Sequence, residues 1–215
     1  MHLKRQKVPK SWPIYRKGTK YIVRPRVDVK KGLPVLIVLR DILKIVQNRK
    51  EAKRAIHMKY ILLNNKPVTD ERASVLLFDV LTLRPSKKSY RVELSINKKI
   101  EVNEIKEKES NNKIAKIMDK KMLKGKRMQL NLSDGKNFLS DIQCNTNDSV
   151  LINFKEKQIE KCIPLKKNSE AFVFAGKHTG EKGVVKKIDA EKKIAELNVG
   201  GKPINVLIKQ IMAVE

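Results

Sequence analysis

The stretch from Pro34 to Thr69, PVLIVLRDILKIVQNRKEAKRAIHMKYILLNNKPVT, constrains the fold most, because its hydrophobic period changes from helical to alternating within one short segment. Leu36, Leu39, Leu43 and Val46 fall at helical spacing, and Val35, Val38, Ile42 and Ile45 widen the stripe, so one flank of a first helix must be buried. Pro34 suits the first turn, where a missing N–H costs nothing. Asn48 followed by Glu51 is a capping-box pattern that opens a second helix, with Ala52, Ala55 and Ile56 on its buried side. After Lys59 the period drops to two. Tyr60, Ile61, Leu62 and Leu63 lead into Asn64, Asn65, Lys66 and Pro67, a strand and tight turn, and Val68 begins the return. The expected unit is two helices and a hairpin.

The other side of the second helix is cationic: Arg49, Lys50, Lys53 and Arg54 fall within about one and a half turns. Arg40 and Lys44 lie one turn apart on the preceding helix. This order resembles the small RNA-binding domain of bacterial small-subunit ribosomal protein four, which has an Arg-Leu-Asp-like opening, a basic helix and a Val-Asn-Gly hairpin. Here Arg40 and Asp41 stand at the opening, and Leu63, Asn64 and Asn65 at the hairpin. Lys59 replaces the usual glycine before the strand, and Asn65 replaces the turn glycine, a position where Asn tolerates a left-handed backbone. The resemblance implies RNA contacts from these six basic residues and from Lys59 and Lys66. The plainer reading is a solvated basic face on an ordinary α+β unit.

Charge points the same way. The 215 residues carry 49 Lys/Arg against 23 Asp/Glu, a net charge of +26, on a chain long enough for two or three small domains. Residues 1–33 hold 11 basic groups and 1 acid, and the excess thins toward the C-terminal end, where residues 166–215 hold 10 against 6. Such density repels itself, so a polyanion is the expected partner. The longest apolar run, Leu33 to Leu39, is cut by Arg40 and Asp41, too short to span a bilayer, and no secretory signal follows Met1. A soluble, cytoplasmic protein without a membrane partner is expected. Cys144 and Cys162 are not a CxxC pair, so two buried thiols are expected rather than a disulfide or a zinc site, and no metal, cofactor or small-molecule substrate is anticipated. Aromatic content of 5% favours phosphate and shape contacts over stacking platforms.

Residues 1–33 show no sustained period and contain Pro9, Pro13 and Pro25, as expected of an extended arm that becomes ordered on a partner. Lys4, Arg5, Lys7 and Lys10 would touch phosphates there, while Trp12, the only tryptophan, would pin the arm to the first domain. A targeting segment is the bland alternative, but it would be Ser-rich and helical. Ala73 to Leu83 reads as the last strand of a first domain, 34–89. Alternation from Tyr90 to Val102, a hairpin around Ser133-Asp134-Gly135, and apolar runs at Val150–Phe154 and Ile159–Ile163 make 90–165 a small β domain. Within it, Glu104–Leu123 reads as helix interrupted by a loop near Ser110.

In 166–215, Phe172, Val173 and Phe174 precede Gly176, Gly180 and Gly183, and Gly200-Gly201 marks a further hairpin. Such a loop turns tightly and brings backbone amides near a phosphate, though any β-barrel turn does the same. Phe172 to Lys187 resembles the KOW motif of ribosomal proteins and transcription elongation factors, part of an SH3-like barrel, which implies RNA contacts from Lys177, His178 and Lys182.

Together the His2–Trp12 arm, the two-helix unit, the β middle and the KOW segment resemble the archaeal and eukaryotic e-type small-subunit ribosomal protein four. The resemblance implies a multi-domain α+β protein that is a structural, non-enzymatic constituent of the small ribosomal subunit, bound to ribosomal RNA and neighbouring ribosomal proteins. The alternatives are a KOW-containing transcription elongation factor or a non-catalytic RNA-modification accessory protein. A pseudouridine synthase would need a nucleophilic Asp in an Arg-Leu-Asp context beyond residue 90, and a methyltransferase a glycine-rich strand-loop-helix. Neither pattern follows Thr69, and turn or helix positions are the plainer explanation of Asp119, Asp134 and Asp141.

Overall fold

The structure, a computed structural model, describes residues 2–125, 127–140, 142–189 and 191–214. The chain forms two compact units, residues 1–111 and 112–215.

In the first unit, β1 (Leu3–Lys4) pairs antiparallel with β2 (Tyr21–Ile22). β3 (Leu33–Pro34) leads into a one-turn helix α1 (Val35–Ile37) that continues as a π-helical turn, Val38–Ile42. α2 (Arg49–His57) follows, then β4 (Ile61–Leu63), β5 (Lys66–Pro67), β6 (Ser74–Val75), β7 (Val80–Leu83), β8 (Lys88–Leu94) and β9 (Ile100–Ile105). The sheet runs β5-β4-β7-β8-β9, while β3 pairs with β6. The boundary expected at 89/90 falls inside β8, which hydrogen-bonds β7 on one side and β9 on the other.

The two-helix reading needs correction at its first member. Val35 to Leu39 are all buried with no polar flank, because five consecutive apolar residues offer none, and Ile45 is exposed rather than part of a stripe. The predicted strand over Ala73–Leu83 is two strands split by a turn in which Asp79 Oδ2 accepts from Leu76 N at 2.7 Å. Nor is residues 1–33 a free strap. Leu3 and Trp12 join the core of the first unit with Leu36, Leu39 and Ile56, and Ile100 N donates to Ser11 O at 2.9 Å. Its scattered apolar residues act as anchors at intervals too irregular to show a period. Trp12 pins the arm as expected.

In the second unit, β10 (Asn112–Met122), β11 (Met128–Leu132), β12 (Asn137–Leu139), β13 (Ser149–Asn153) and β14 (Gln158–Ile163) form a sheet ordered β12-β11-β10-β13-β14. The helix read into Glu104–Leu123 is overturned: a short 3-10 turn, Glu107–Asn111, precedes the eleven-residue β10. Its inward positions include Lys113 and Lys116, which hid the alternation. Lys113 Nζ reaches Asp134 Oδ2 at 3.0 Å, both side chains nearly fully buried. Burial alone would push the Asp134 carboxyl up, but Lys113 and Lys136 hold it below the usual range. Lys116 donates to the carbonyls of Ile208 and, at 2.7 Å, of Ile211, and burial pulls its pKa down to about 8.

The last sheet, ordered β18-β17-β16-β15-β19, comprises β15 (Glu170–Val173), β16 (Lys182–Asp189), β17 (Ile194–Val199), β18 (Lys202–Leu207) and β19 (Ile211–Ala213). Ala171, Val173, Val185, Ala195 and Leu197 are its core. The protein is therefore mostly β with few helical turns, rather than evenly α+β. Both cysteines are free, Cys144 buried and Cys162 partly so; burial, then the neighbouring Cys144, pushes the Cys162 thiol up to about 12.

Candidate nucleic-acid interface

The sequence of α2 fixes where its charges point. Asn48 Oδ1 accepts from Glu51 N at 2.9 Å, and Glu51 Oε2 reaches back to Gln47 N at 2.8 Å, one residue earlier than a standard capping box. Ala52 and Ile56 are buried, so Lys50, Lys53 and Arg54 are turned to solvent. Arg49 differs. Its guanidinium clasps the carboxylate of Glu71, which is 4% exposed, and the Arg49 Nε bonds hold Glu71 well below the usual carboxylate range. Arg49 therefore fixes the start of α2 against the segment after the hairpin. Arg40 is likewise bonded through Nε and Nη2 to Asp41 at 3.1 and 2.9 Å.

The hairpin is held by a buried network. Asn64 and Asn65 have φ of 51° and 60°, the left-handed pair of a tight hairpin turn. Asn64 Nδ2 donates to Asp79 Oδ1 at 2.8 Å while its Oδ1 accepts from Val80 N at 3.0 Å, so this position needs Asn for its side chain as well as its backbone. Lys59 takes φ 56° and is exposed before the strand, and Lys66 is exposed after the turn, as is Lys44 behind the π-helical turn. This places a cationic set on α2 and the segments flanking it.

In the arm, Lys4, Lys7 and Lys10 are exposed, but Arg5 is committed internally. Its Nε donates to Thr19 O at 2.7 Å, its Nη1 to Tyr15 O at 2.7 Å and its Nη2 to Thr19 Oγ1 at 2.8 Å. The loop so closed forms one side of a cationic cleft of about 370 Å³ lined by Lys4, Arg5, Arg16, Lys17 and Lys20. Sequence reasoning stopped at Lys10 and missed Arg16, Lys17 and Lys20; the signal was the YRKGTK run itself.

In the second unit, Lys177 and Lys182 are exposed, whereas His178 Nδ1 lies 3.1 Å from Glu181 Oε2. Two amides of the glycine loop are bonded internally: Gly180 N donates to Val173 O at 2.8 Å and Glu181 N to His178 O at 3.2 Å. Gly183 serves strand packing, since a Cβ there would meet Asn198 O at 2.6 Å. Asp134 is engaged by Lys113, Asp119 is exposed on β10, and Asp141 lies outside the described residues. Among the described residues, no helix is long and apolar enough to cross a membrane.

Comparison with known proteins places this chain beside ribosomal proteins. The model of the ribosomal family S4e matches residues 86–159, and that of the RS4NT (NUC023) domain matches residues 1–27. The small ribosomal subunit protein eS4 of Methanothermobacter thermautotrophicus is 37% identical over 191 residues, covering 87% of this chain and 79% of that protein. The same protein of Nanoarchaeum equitans is 34% identical over 191 residues, covering 87% and 82%. The crystal structure of the 30S ribosomal protein S4e from Thermoplasma acidophilum superposes with a TM-score of 0.74 at 21% identity, covering 86% of this chain and 95% of that one. The chain belongs to the S4e family of ribosomal proteins.

Proposed function

We propose that this chain is a structural constituent of the small ribosomal subunit that binds ribosomal RNA and neighbouring ribosomal proteins in the cytoplasm. The observation that carries the reading is the 37% identity to an archaeal eS4 over 87% of the chain, which favours it over a transcription elongation factor or a modification accessory protein. The RNA face combines the arm of residues 1–33, through Lys4, Lys7 and Lys10, with the two-helix unit of 34–89, through Lys44, Lys50, Lys53, Arg54, Lys59 and Lys66. Arg5 shapes the Tyr15–Lys20 loop and Arg49 ties α2 to Glu71, while Arg40 and His178 are paired with Asp41 and Glu181. Residues 166–215 act as an SH3-like KOW domain, adding Lys177 and Lys182. The role is binding rather than catalysis: the ion pair of Asp134 with Lys113 leaves that acid a structural task.

Sedimentation of the tagged protein with small subunits through a high-salt wash tests this. Retention in the subunit fraction is expected, because a constituent built into the subunit dissociates slowly, whereas a protein held by phosphate contacts alone is stripped by salt. Release into the free fraction at the first wash contradicts it.

A further inference from the structure

Residues 15–20, YRKGTK, form a loop closed from below by Arg5, whose three donors bind Tyr15 O, Thr19 O and Thr19 Oγ1. Gly18, at φ +133°, lies flat against that guanidinium; a Cβ there would stand 3.1 Å from Nη2. Thr19 Oγ1 in turn donates to Tyr21 O at 3.2 Å. The loop is thus tied by three hydrogen bonds at two residues, Tyr15 and Thr19, to one charged group, which orders it at small further entropic cost on binding.

What the loop presents is unusual for this molecule. Tyr15 is 88% exposed, the most open large apolar side chain among those described. Tyr21 differs: its ring packs against His2 at 5.3 Å between centroids, with Lys20 Nζ at 5.6 Å. Tyr15 is followed in the same loop by residues of a cleft of about 370 Å³ lined by Lys4, Arg5, Arg16, Lys17 and Lys20, and the first acid in the chain is Asp28. An uncovered aromatic face beside clustered cations, on a braced loop, fits a ligand with a planar ring and phosphates on both sides.

We propose that the Arg5-closed loop binds an unpaired nucleotide of a folded RNA, with its base stacked on Tyr15 and its flanking phosphates held by Lys4, Arg16, Lys17 and Lys20. This rests on the RNA-binding reading above and adds a site with a local preference, where the α2 face meets phosphates alone. Stacking tolerates any base, so the site selects an unstacked nucleotide, not a sequence. Duplex RNA offers phosphates but no free base, and gains only the electrostatic part.

The test uses the full chain and two RNA hairpins that differ by a single bulged 2-aminopurine, read by anisotropy and by 2-aminopurine fluorescence. The wild-type protein binds the bulged hairpin more tightly and quenches the probe. Tyr15→Ala weakens binding of the bulged hairpin roughly tenfold and removes the quenching, while binding to the perfect hairpin changes by less than about twofold. Tyr15→Phe keeps both signals, since stacking needs the ring and not the hydroxyl. Arg5→Gln loosens the loop and loses the preference for the bulge. Equal binding of both hairpins without quenching, or an equal loss on both in Tyr15→Ala, overturns the stacking site and leaves the wider RNA reading intact. Failure of the wild-type protein to bind either hairpin at low salt overturns both.

Discussion

Helix α2 and strand β10 both place lysines three residues apart, and the structure uses them in opposite ways. On α2, Lys50, Lys53 and Arg54 stand in solvent while Ala52 and Ile56 are buried behind them. On β10, Lys113 and Lys116 are buried, one against a carboxylate and one against two backbone carbonyls. Basic residues in this chain thus divide into those that hold the protein together and those exposed to solvent. Charge count alone does not separate them; the partner's position does.

The largest effect that tests this division is in the strand. Replacing Asp134 by Ala removes the buried carboxylate that Lys113 and Lys136 both approach and lowers stability by about 3 kcal/mol, read by urea unfolding, with RNA affinity of the folded protein unchanged. The same pair has a pH signature. Because the carboxyl is held below its ordinary range in the fold, its contribution is complete above that range and is lost as pH falls through the folded value. Wild-type stability therefore falls more steeply on acidification than that of Asp134→Ala.

Lys116 gives a smaller change of the same pH sense, in an alkaline window instead of an acidic one. Lys116→Met removes two hydrogen bonds to backbone carbonyls and costs about 1–3 kcal/mol. Burial lowers the folded pKa to about 8, below the unfolded value, so the unfolded chain holds the extra proton between the two. Stability of the wild type rises with pH from about 8 up to the ordinary lysine range, and the variant lacks that rise. Asn48→Ala sharpens the comparison from the helix side: losing the acceptor for Glu51 N costs about 1 kcal/mol by thermal unfolding and frays the turn that aims Lys50 and Lys53.

Sequence patterns read well wherever the determinants were local. The cap at Asn48, the left-handed turn at Asn64 and Asn65, and the hairpins around Gly135 and Gly200 each declare themselves within a few residues. β10 did not, because the groups that make Lys113 and Lys116 acceptable inside a sheet, Asp134 and the Ile208 and Ile211 carbonyls, lie 21, 92 and 95 residues away. The end of the first unit was missed for a related reason: β8 and β9 look like the start of a β domain but close the preceding sheet. Helical spacing places Arg49 beside its exposed neighbours, and the fold adds Glu71, 22 residues on, as its partner. The Tyr15–Lys20 loop was legible as a basic run, but not as a shaped cleft, since Arg5 closes it from 10 to 14 positions away.

The most direct test is the salt dependence of binding to small-subunit ribosomal RNA for the wild type, for Lys50→Ala/Lys53→Ala/Arg54→Ala, and for Lys113→Ala/Asp134→Ala. A triple variant that folds normally but whose slope of log affinity against log salt is shallower by about 2–3, beside a double variant that is less stable but keeps the wild-type slope, is the predicted result. Equal slopes for all three proteins, or a loss of slope only in the strand variant, would contradict it.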